Sequence, residues 1–147
     1  MEVSPEGRLE RLEVASPAGL LTLHPEPDAS TLHGNVVRAT GVEHVALPWS
    51  AAHILLVGGS PLAGAVAAAW VAGRVGVGEG MSVPAVEIGD DLSVRRATWR
   101  VARLATVRWC LLAADRGTVI TIDLDQDGLP AGLEDAESWP LELPAGA

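Results

Sequence analysis

Hydrophobic and polar residues alternate with a period of two along most of the chain, which is the pattern of β-strands buried on one face. Pro, Gly and Ser interrupt the alternation about every ten residues, and short strands at this spacing are typical of a sandwich or barrel. We therefore predict an antiparallel sheet that is curled into one of these two forms. The predicted strands lie at 8–15, 20–24, 31–38, 42–48, 53–58, 83–88 and 118–124.

One segment departs from this alternation and predicts a helix. Ser60 is a suitable N-cap residue, Pro61 suits the first helical position, and Gly73 is a natural C-terminal stop. The residues between them are apolar on every face, and a helix of this kind is buried on more than one side. The predicted fold class is therefore α+β, mostly antiparallel β, with a curled sheet (barrel or sandwich) and one buried helix near 61–73.

The segment at 92–115 contains two competing patterns. Val94, Val101 and Leu104 fit helical spacing, whereas its Thr, Trp and Val residues favour strands. Residues 104–107 contain neither Gly nor Pro to enforce a turn. We predict two strands here, with a helix as the alternative.

A membrane-spanning segment is the competing interpretation of the stretch from Ala51 to Gly73. This stretch contains no Asp, Glu, Lys or Arg and is long enough to cross a bilayer as a helix. However, Gly58, Gly59 and Pro61 interrupt it near the middle. A strand, a turn and a short helix account for it better, so we predict no membrane span.

Length and composition predict a folded chain. It has 147 residues, of which 48% are hydrophobic and 20% charged, and this balance excludes disorder over most of the length. We predict a single globular domain over 1–147 with a tail that frays after about residue 144. Lys, Phe and Tyr are absent and Asn occurs only at Asn35. Because these residues have A/T-rich codons, we interpret the bias as that of a GC-rich bacterium.

Charge and cysteine content narrow the classes of partner. The formal net charge is −9, and phosphate backbones are bound by concentrated Lys and Arg, so nucleic acid is not an expected partner. Cys110 is the only cysteine, which excludes an internal disulfide and a zinc site of several cysteines. The first residues are charged and lack the apolar segment of a secretory signal, so we expect a cytoplasmic protein.

Residues 123–134 have the spacing of a calcium-binding loop. Against this interpretation, β-branched residues precede the loop where a helix normally enters, and Pro130 has no N–H for the backbone pairing of such loops. A strand end followed by a hairpin turn at Asp127–Gly128 explains the same residues. We therefore expect no cofactor, with low-affinity calcium binding as the alternative. The metal ligands would then be Asp123, Asp125, Asp127 and Glu134.

Three polar residues of the hairpin at 31–48 are candidates for ligand binding: His33, Asn35 and His44. With Thr40–Gly41 as a two-residue turn, Val37 pairs with His44, so His33 lies about 13 Å from His44 along the sheet. This distance excludes a metal ion shared by the two imidazoles. Asn35 and His44 are then diagonal neighbours, roughly 7–8 Å apart, and can hold one small polar ligand together.

These features favour a binding function. We predict an accessory domain that holds a small, partly apolar ligand or a lipid in the concavity of the sheet. One alternative is a homo-oligomeric interaction protein in which the helix or an edge strand makes the contact. The other is an enzyme that uses His44 or His33 as a general base. The sequence shows no nucleophile or second catalytic carboxylate to accompany them, so the enzyme is the less favoured alternative.

Overall fold

The structure is a computed structural model that describes residues 1–3, 9–58 and 60–133. In this part of the chain, one helix lies among mostly antiparallel strands, and one sheet is strongly curled, so the predicted α+β class is confirmed. The helix is α1 (Pro61–Ala72), and the strands are β1 (Glu2–Val3), β2 (Leu9–Ser16), β3 (Gly19–Pro25), β4 (Thr31–Arg38), β5 (Gly41–Pro48), β6 (Ile54–Val57), β7 (Gly80–Ile88), β8 (Val94–Arg103), β9 (Arg108–Ala113), β10 (Val119–Leu124) and β11 (Pro130–Leu133).

The strands form two sheets. Within the described residues, one sheet has five strands in the order β1-β2-β3-β4-β5, and the other has six in the order β11-β10-β9-β8-β7-β6. The chain groups into two compact units, residues 1–60 with 83–98, and residues 61–82 with 99–147. A single domain over the whole chain stays a prediction, and the predicted tail after residue 144 lies outside the described residues.

The first unit contains the five-stranded sheet and its core. Along β3 and β4, every second side chain is almost completely buried, as expected for strands that are covered on one side. The face that these side chains form is called the inner face below. It packs against the end of β7 and the loop that follows it. The buried residues of this core are Leu12, Leu21, Leu23, Leu32, Val36, Val86, Ile88 and Leu92.

The predicted hairpin between β4 and β5 exists, but its predicted register is wrong by one residue on each strand. The turn consists of Ala39–Thr40 rather than Thr40–Gly41, and Arg38 pairs with Gly41. Gly41 has a φ of 140°, which glycine adopts far more readily than other residues, so it begins β5 instead of closing the turn. A shift of one residue on both strands leaves every side chain on its predicted face.

The second unit contains the helix. Helix α1 packs on β10 and β11 through small residues, and a β-carbon added to Gly64 would lie 3.3 Å from Ile122 Cδ1. Ala65, Ala68 and Val71 complete this buried face. The apolar stretch at 51–73 is therefore a strand, a turn and a helix, as predicted. No helix in the described part of the chain is both long and apolar enough to span a membrane.

Two further predictions concern the strands after α1. The two-strand interpretation of 92–115 is confirmed, because β8 and β9 pair antiparallel with Trp99 opposite Ala113 and Arg103 opposite Trp109. The predicted strand end and turn after residue 124 are also present. Strands β10 and β11 form a hairpin in which Gly128 has a φ of 79°.

Candidate functional site

The three candidate ligand-binding residues lie on the side of the five-stranded sheet opposite the inner face, which we call the outer face. Successive residues of a strand point to opposite sides. In β4, Gly34 and Val36 are buried. His33, which precedes Gly34, and Asn35, which lies between the two, therefore point outward. His44 pairs with Asn35 and therefore shares its face. The predicted face of all three residues is confirmed, while their role in binding stays a prediction.

Asn35 and His44 are joined by a hydrogen bond across β4 and β5. They are directly opposite each other, and Asn35 Oδ1 lies 2.5 Å from His44 Nδ1. The predicted diagonal separation of 7–8 Å is therefore wrong, for the reason given for the register. Because an amide oxygen only accepts hydrogen bonds, this contact assigns the hydrogen to Nδ1 of His44, and in the neutral ring Nε2 then keeps its lone pair.

This hydrogen bond determines which groups of Asn35 and His44 remain available to bind a ligand. Both side chains are exposed, so a small polar group can approach them from solvent. The amide N–H groups of Asn35 can donate to that group while Nε2 of His44 accepts from it. A neutral imidazole that is held in one tautomer by its other nitrogen is also the arrangement found in general bases and in metal ligands.

His33 lies beside a histidine that the sequence analysis missed. His24 of β3 pairs directly with His33, and their ring centroids are 4.0 Å apart with the ring planes at 56°. His33 pairs on its other side with Ala46, two residues from His44. His33 and His44 are thus diagonal neighbours roughly 7–8 Å apart, and the predicted 13 Å is wrong. The pairing of His24 with His33 depends on the register between β3 and β4, which the sequence does not display.

Side chains of the outer face form three rows that run across the strands. Neighbouring rows are two residues apart along each strand, which is about 7 Å. The imidazole row consists of His24 and His33, with Ala46 at its end. The polar row consists of Thr22, Asn35 and His44. The apolar row consists of Leu20, Val37 and Val42.

The apolar row is unusually open to solvent for three aliphatic side chains in direct cross-strand contact. Leu20 is 41% exposed, Val37 45% and Val42 59%. Single exposed aliphatic residues are ordinary, whereas a contiguous set beside polar groups is typical of a binding surface. The polar row lies directly alongside it, so one molecule of modest length can contact both rows.

Two of the four acidic residues of the candidate calcium loop, Asp123 and Asp125, have partners within the protein. Asp123 accepts two hydrogen bonds of 2.8 Å from Arg108, and this guanidinium lowers the pKa of the Asp123 carboxyl. Asp125 Oδ1 accepts 2.9 Å hydrogen bonds from the backbone N–H groups of Asp127 and Leu129 and so closes the turn. Asp127 is exposed, and Glu134 lies outside the described residues.

A metal centre of three or more ligands is not found in the described part of the chain. No group of three His, Cys, Asp or Glu side chains there is arranged to hold one ion. The three outward-facing histidines illustrate this, because His24 and His33 are adjacent while His44 is turned towards Asn35. Calcium binding at Asp123, Asp125, Asp127 and Glu134 stays a prediction.

The fourth histidine has a different environment. His53 stacks on Trp49 with ring centroids 5.1 Å apart, and its Nδ1 lies 3.0 Å from the Ser50 hydroxyl. Burial lowers the pKa of His53, a backbone hydrogen bond with Ser50 opposes this, and the charge of Arg96 lowers the pKa further. The lowered pKa favours the neutral form of His53, and its ring is packed on Trp49.

Comparison with known proteins gives a likeness in fold alone. No protein-family model matches the chain, and no curated protein matches it. Among solved structures, the chain is similar to a crystal structure of a DUF1089 family protein from Pseudomonas aeruginosa. The TM-score is 0.56, the sequence identity is 12%, and the match covers 95% of each chain. At this identity, the likeness supports the arrangement of strands and helix and transfers no site residue.

Proposed function

We propose that the chain is a binding domain for a small, partly apolar molecule, and that the ligand lies on the outer face of the five-stranded sheet. The polar end of the ligand contacts Asn35 and His44, and its aliphatic part lies over the apolar row. A hydroxyl group suits the polar pair best, because it accepts from the Asn35 amide and donates to His44 Nε2.

The inner face is a poorer place for a ligand. Leu21, Leu23, Leu32 and Val36 are at most 1% exposed and pack against side chains of the same unit. A ligand there would displace these contacts, and each displaced aliphatic side chain costs about 1.5–3 kcal/mol of burial. The ligand that the sequence analysis places in the concavity of the sheet is therefore assigned to the other side.

The observation that carries the proposal is the adjacency of the polar and apolar rows. Val37 pairs with Val42, and two residues along the same strands Asn35 pairs with His44. Binding sites for small molecules combine apolar surface with a few polar groups at fixed positions in this way. An octyl chain that covers about 150 Å² of apolar surface gains about 4 kcal/mol. Because the cost of association offsets part of this gain, we expect a Kd of about 1 mM or weaker.

The experiment is a ligand-detected NMR titration of the full chain with 1-octanol, in which saturation transfer to the ligand is measured. Val37→Ser and Val42→Ser are expected to weaken binding about fivefold or more, since each removes aliphatic surface from the row. Val77→Ser is the matched control, because Val77 is 58% exposed and lies between α1 and β7. Equal weakening by all three variants would contradict the proposal.

The polar end is tested with a second variant. Asn35→Ala is expected to weaken 1-octanol binding about fivefold, which corresponds to one neutral hydrogen bond of about 1 kcal/mol. The same variant should leave binding of n-hexane unchanged, because an alkane makes no hydrogen bond. If Asn35→Ala weakens both probes equally, the loss reflects a distorted sheet and the assignment of the polar end is wrong.

A second candidate function is self-association through α1. Leu62 is 52% and Val66 42% exposed, one helical turn apart on a helix without a charged residue. Such a surface is unfavourable in water, and the same face of a second copy is an uncharged partner for it. Sedimentation of the parent chain and of a Leu62→Gln/Val66→Gln variant shows whether the chain self-associates through this face of α1. A parent chain that is monomeric at high micromolar concentration would exclude this function.

A further inference from the structure

The imidazole row brings two histidines into contact on the solvent-facing side of the sheet. His24 and His33 are directly opposite each other on β3 and β4, with ring centroids 4.0 Å apart. His24 is exposed and His33 is half-buried, so at least one side of the pair is accessible to a dissolved ion. Direct cross-strand partners also hold their Cβ atoms about 4.5–5.5 Å apart, which fixes the two rings near each other before any ligand arrives.

This separation is close to that of two imidazoles that share a metal ion. With metal–nitrogen bonds of about 2.1 Å and an angle of about 90–110° between them, the two ring centroids are about 4.6–5.3 Å apart. The observed distance of 4.0 Å is therefore shorter by about 0.6–1.3 Å. Because His24 is exposed, we expect a rotation of its side chain to open the pair enough to admit an ion.

The surroundings of the pair do not oppose a cation. Continuing the register of β2 and β3, in which Leu12 pairs with Leu23, places Arg11 beside His24. The charge of Arg11 is compensated locally, since its guanidinium lies 2.5 Å from a carboxylate oxygen of Glu13. The turn that joins β3 to β4 adds the acidic residues Glu26 and Asp28. The net charge of −9 favours cations over the molecule as a whole.

We infer that His24 and His33 form a two-imidazole site for a divalent late transition-metal ion such as Zn²⁺ or Cu²⁺, with water completing its coordination. Imidazole nitrogen is a preferred ligand of these ions, and Cu²⁺ binds such sites more tightly than Zn²⁺ or Ni²⁺. Hard ions such as Ca²⁺ and Mg²⁺ prefer oxygen and are not expected here. This site is independent of the proposed ligand on the polar and apolar rows.

The test is calorimetric titration of the untagged full chain with ZnCl₂, repeated for His24→Gln, His33→Gln and the control His53→Gln. The parent chain is expected to bind one ion. Each of the first two variants should weaken binding by more than about tenfold, because even a residue that only supports a metal ligand is worth about 10–100-fold. His53→Gln should bind as the parent does, since His53 contacts Trp49 and Ser50 instead.

A second measurement works on the unaltered protein and so does not depend on how the variants fold. The side-chain imidazole resonances of His24 and His33 should shift together on addition of ZnCl₂, and those of His53 should stay in place. Substitution with CuCl₂ should give an electron-spin resonance spectrum with two coupled nitrogens. The inference is overturned if zinc does not bind at about 1 mM, or if His24→Gln and His33→Gln bind it as tightly as the parent chain.

Discussion

Gly34 lies so close to β3 that a β-carbon on it would fall 1.8 Å from the backbone carbonyl oxygen of Thr22. This glycine separates His33 from Asn35 on β4 and pairs with Leu23 and Val45 on either side. The two backbones therefore approach closely between the imidazole and polar rows of the outer face. Glycine inside a strand often allows such a close approach of main chain.

Gly34→Ala is expected to destabilise the protein by about 3 kcal/mol, because backbone cannot move aside as a side-chain tip can. The measurement is urea unfolding followed by circular dichroism. Gly73→Ala is the matched control, since a β-carbon there meets nothing within 4 Å and the residue does not have a positive φ. A Gly34→Ala chain as stable as Gly73→Ala would show that β3 and β4 are further apart than described.

The hydrogen bond between Asn35 and His44 predicts the tautomer of His44. In the parent chain at about pH 8, where imidazoles are mostly neutral, Nδ1 should carry the hydrogen. Asn35→Ala removes the acceptor and should give a mixture of both tautomers, whereas Asn35→Asp keeps an acceptor and should preserve the first. Long-range proton–nitrogen NMR spectra distinguish the forms. A parent chain with the hydrogen on Nε2 would contradict the bond as assigned.

The lowered pKa of His53 predicts that the protein loses stability in mild acid. Burial lowers its pKa in the folded chain below the ordinary value of 6.5, so the unfolded chain binds the proton more tightly. The free energy of unfolding should therefore fall as the pH drops through 6.5 and stop falling once the folded-state pKa is passed. His53→Gln should show a smaller loss between about pH 7 and pH 5, measured by urea unfolding at several pH values. The other three histidines are common to both chains, so an identical pH dependence of parent and variant would refute this role.

The hydrogen bonds of Asp125 predict that its removal lowers stability to the same extent with and without calcium. Its Oδ1 accepts two backbone hydrogen bonds in the turn after β10, so Asp125→Ala should cost about 1–2 kcal/mol. Asp127→Ala, at an exposed neighbouring position, should stay within about 0.5 kcal/mol of the parent. Thermal melts with and without about 1 mM CaCl₂ should give the same difference. A loss of stability in Asp125→Ala that appears only with calcium present would instead support the metal loop.

The sequence was sufficient to predict most elements because their signals are local. Alternation around Ile122 and Leu124 marks β10, and Pro61 followed by an apolar run that ends near Gly73 marks α1. In each case, the pattern depends on burial of one face or on terminal residues, and both are visible within a few positions. The fold class followed from these elements together.

Register and long-range pairing could not be predicted in the same way. Whether Thr40 or Gly41 closes the turn depends on the backbone angle of one glycine, and this choice separates a bonded Asn35–His44 pair from a diagonal one. The contact of His24 with His33 depends on how β3 aligns with β4 across an intervening loop. Such an alignment is decided by packing of the inner face, which no single segment of the sequence displays.

The most direct test of the proposed binding surface is a map of methyl NMR shifts while the full chain is titrated with 1-octanol. The methyl shifts are expected to concentrate on Leu20, Val37 and Val42, and the imidazole ring signals of His44, recorded in the same titration, are also expected to shift. The buried methyl groups of Leu21 and Leu32 should stay unchanged. Shifts that concentrate on the inner-face leucines, or on Leu62 and Val66 of α1, would contradict the account.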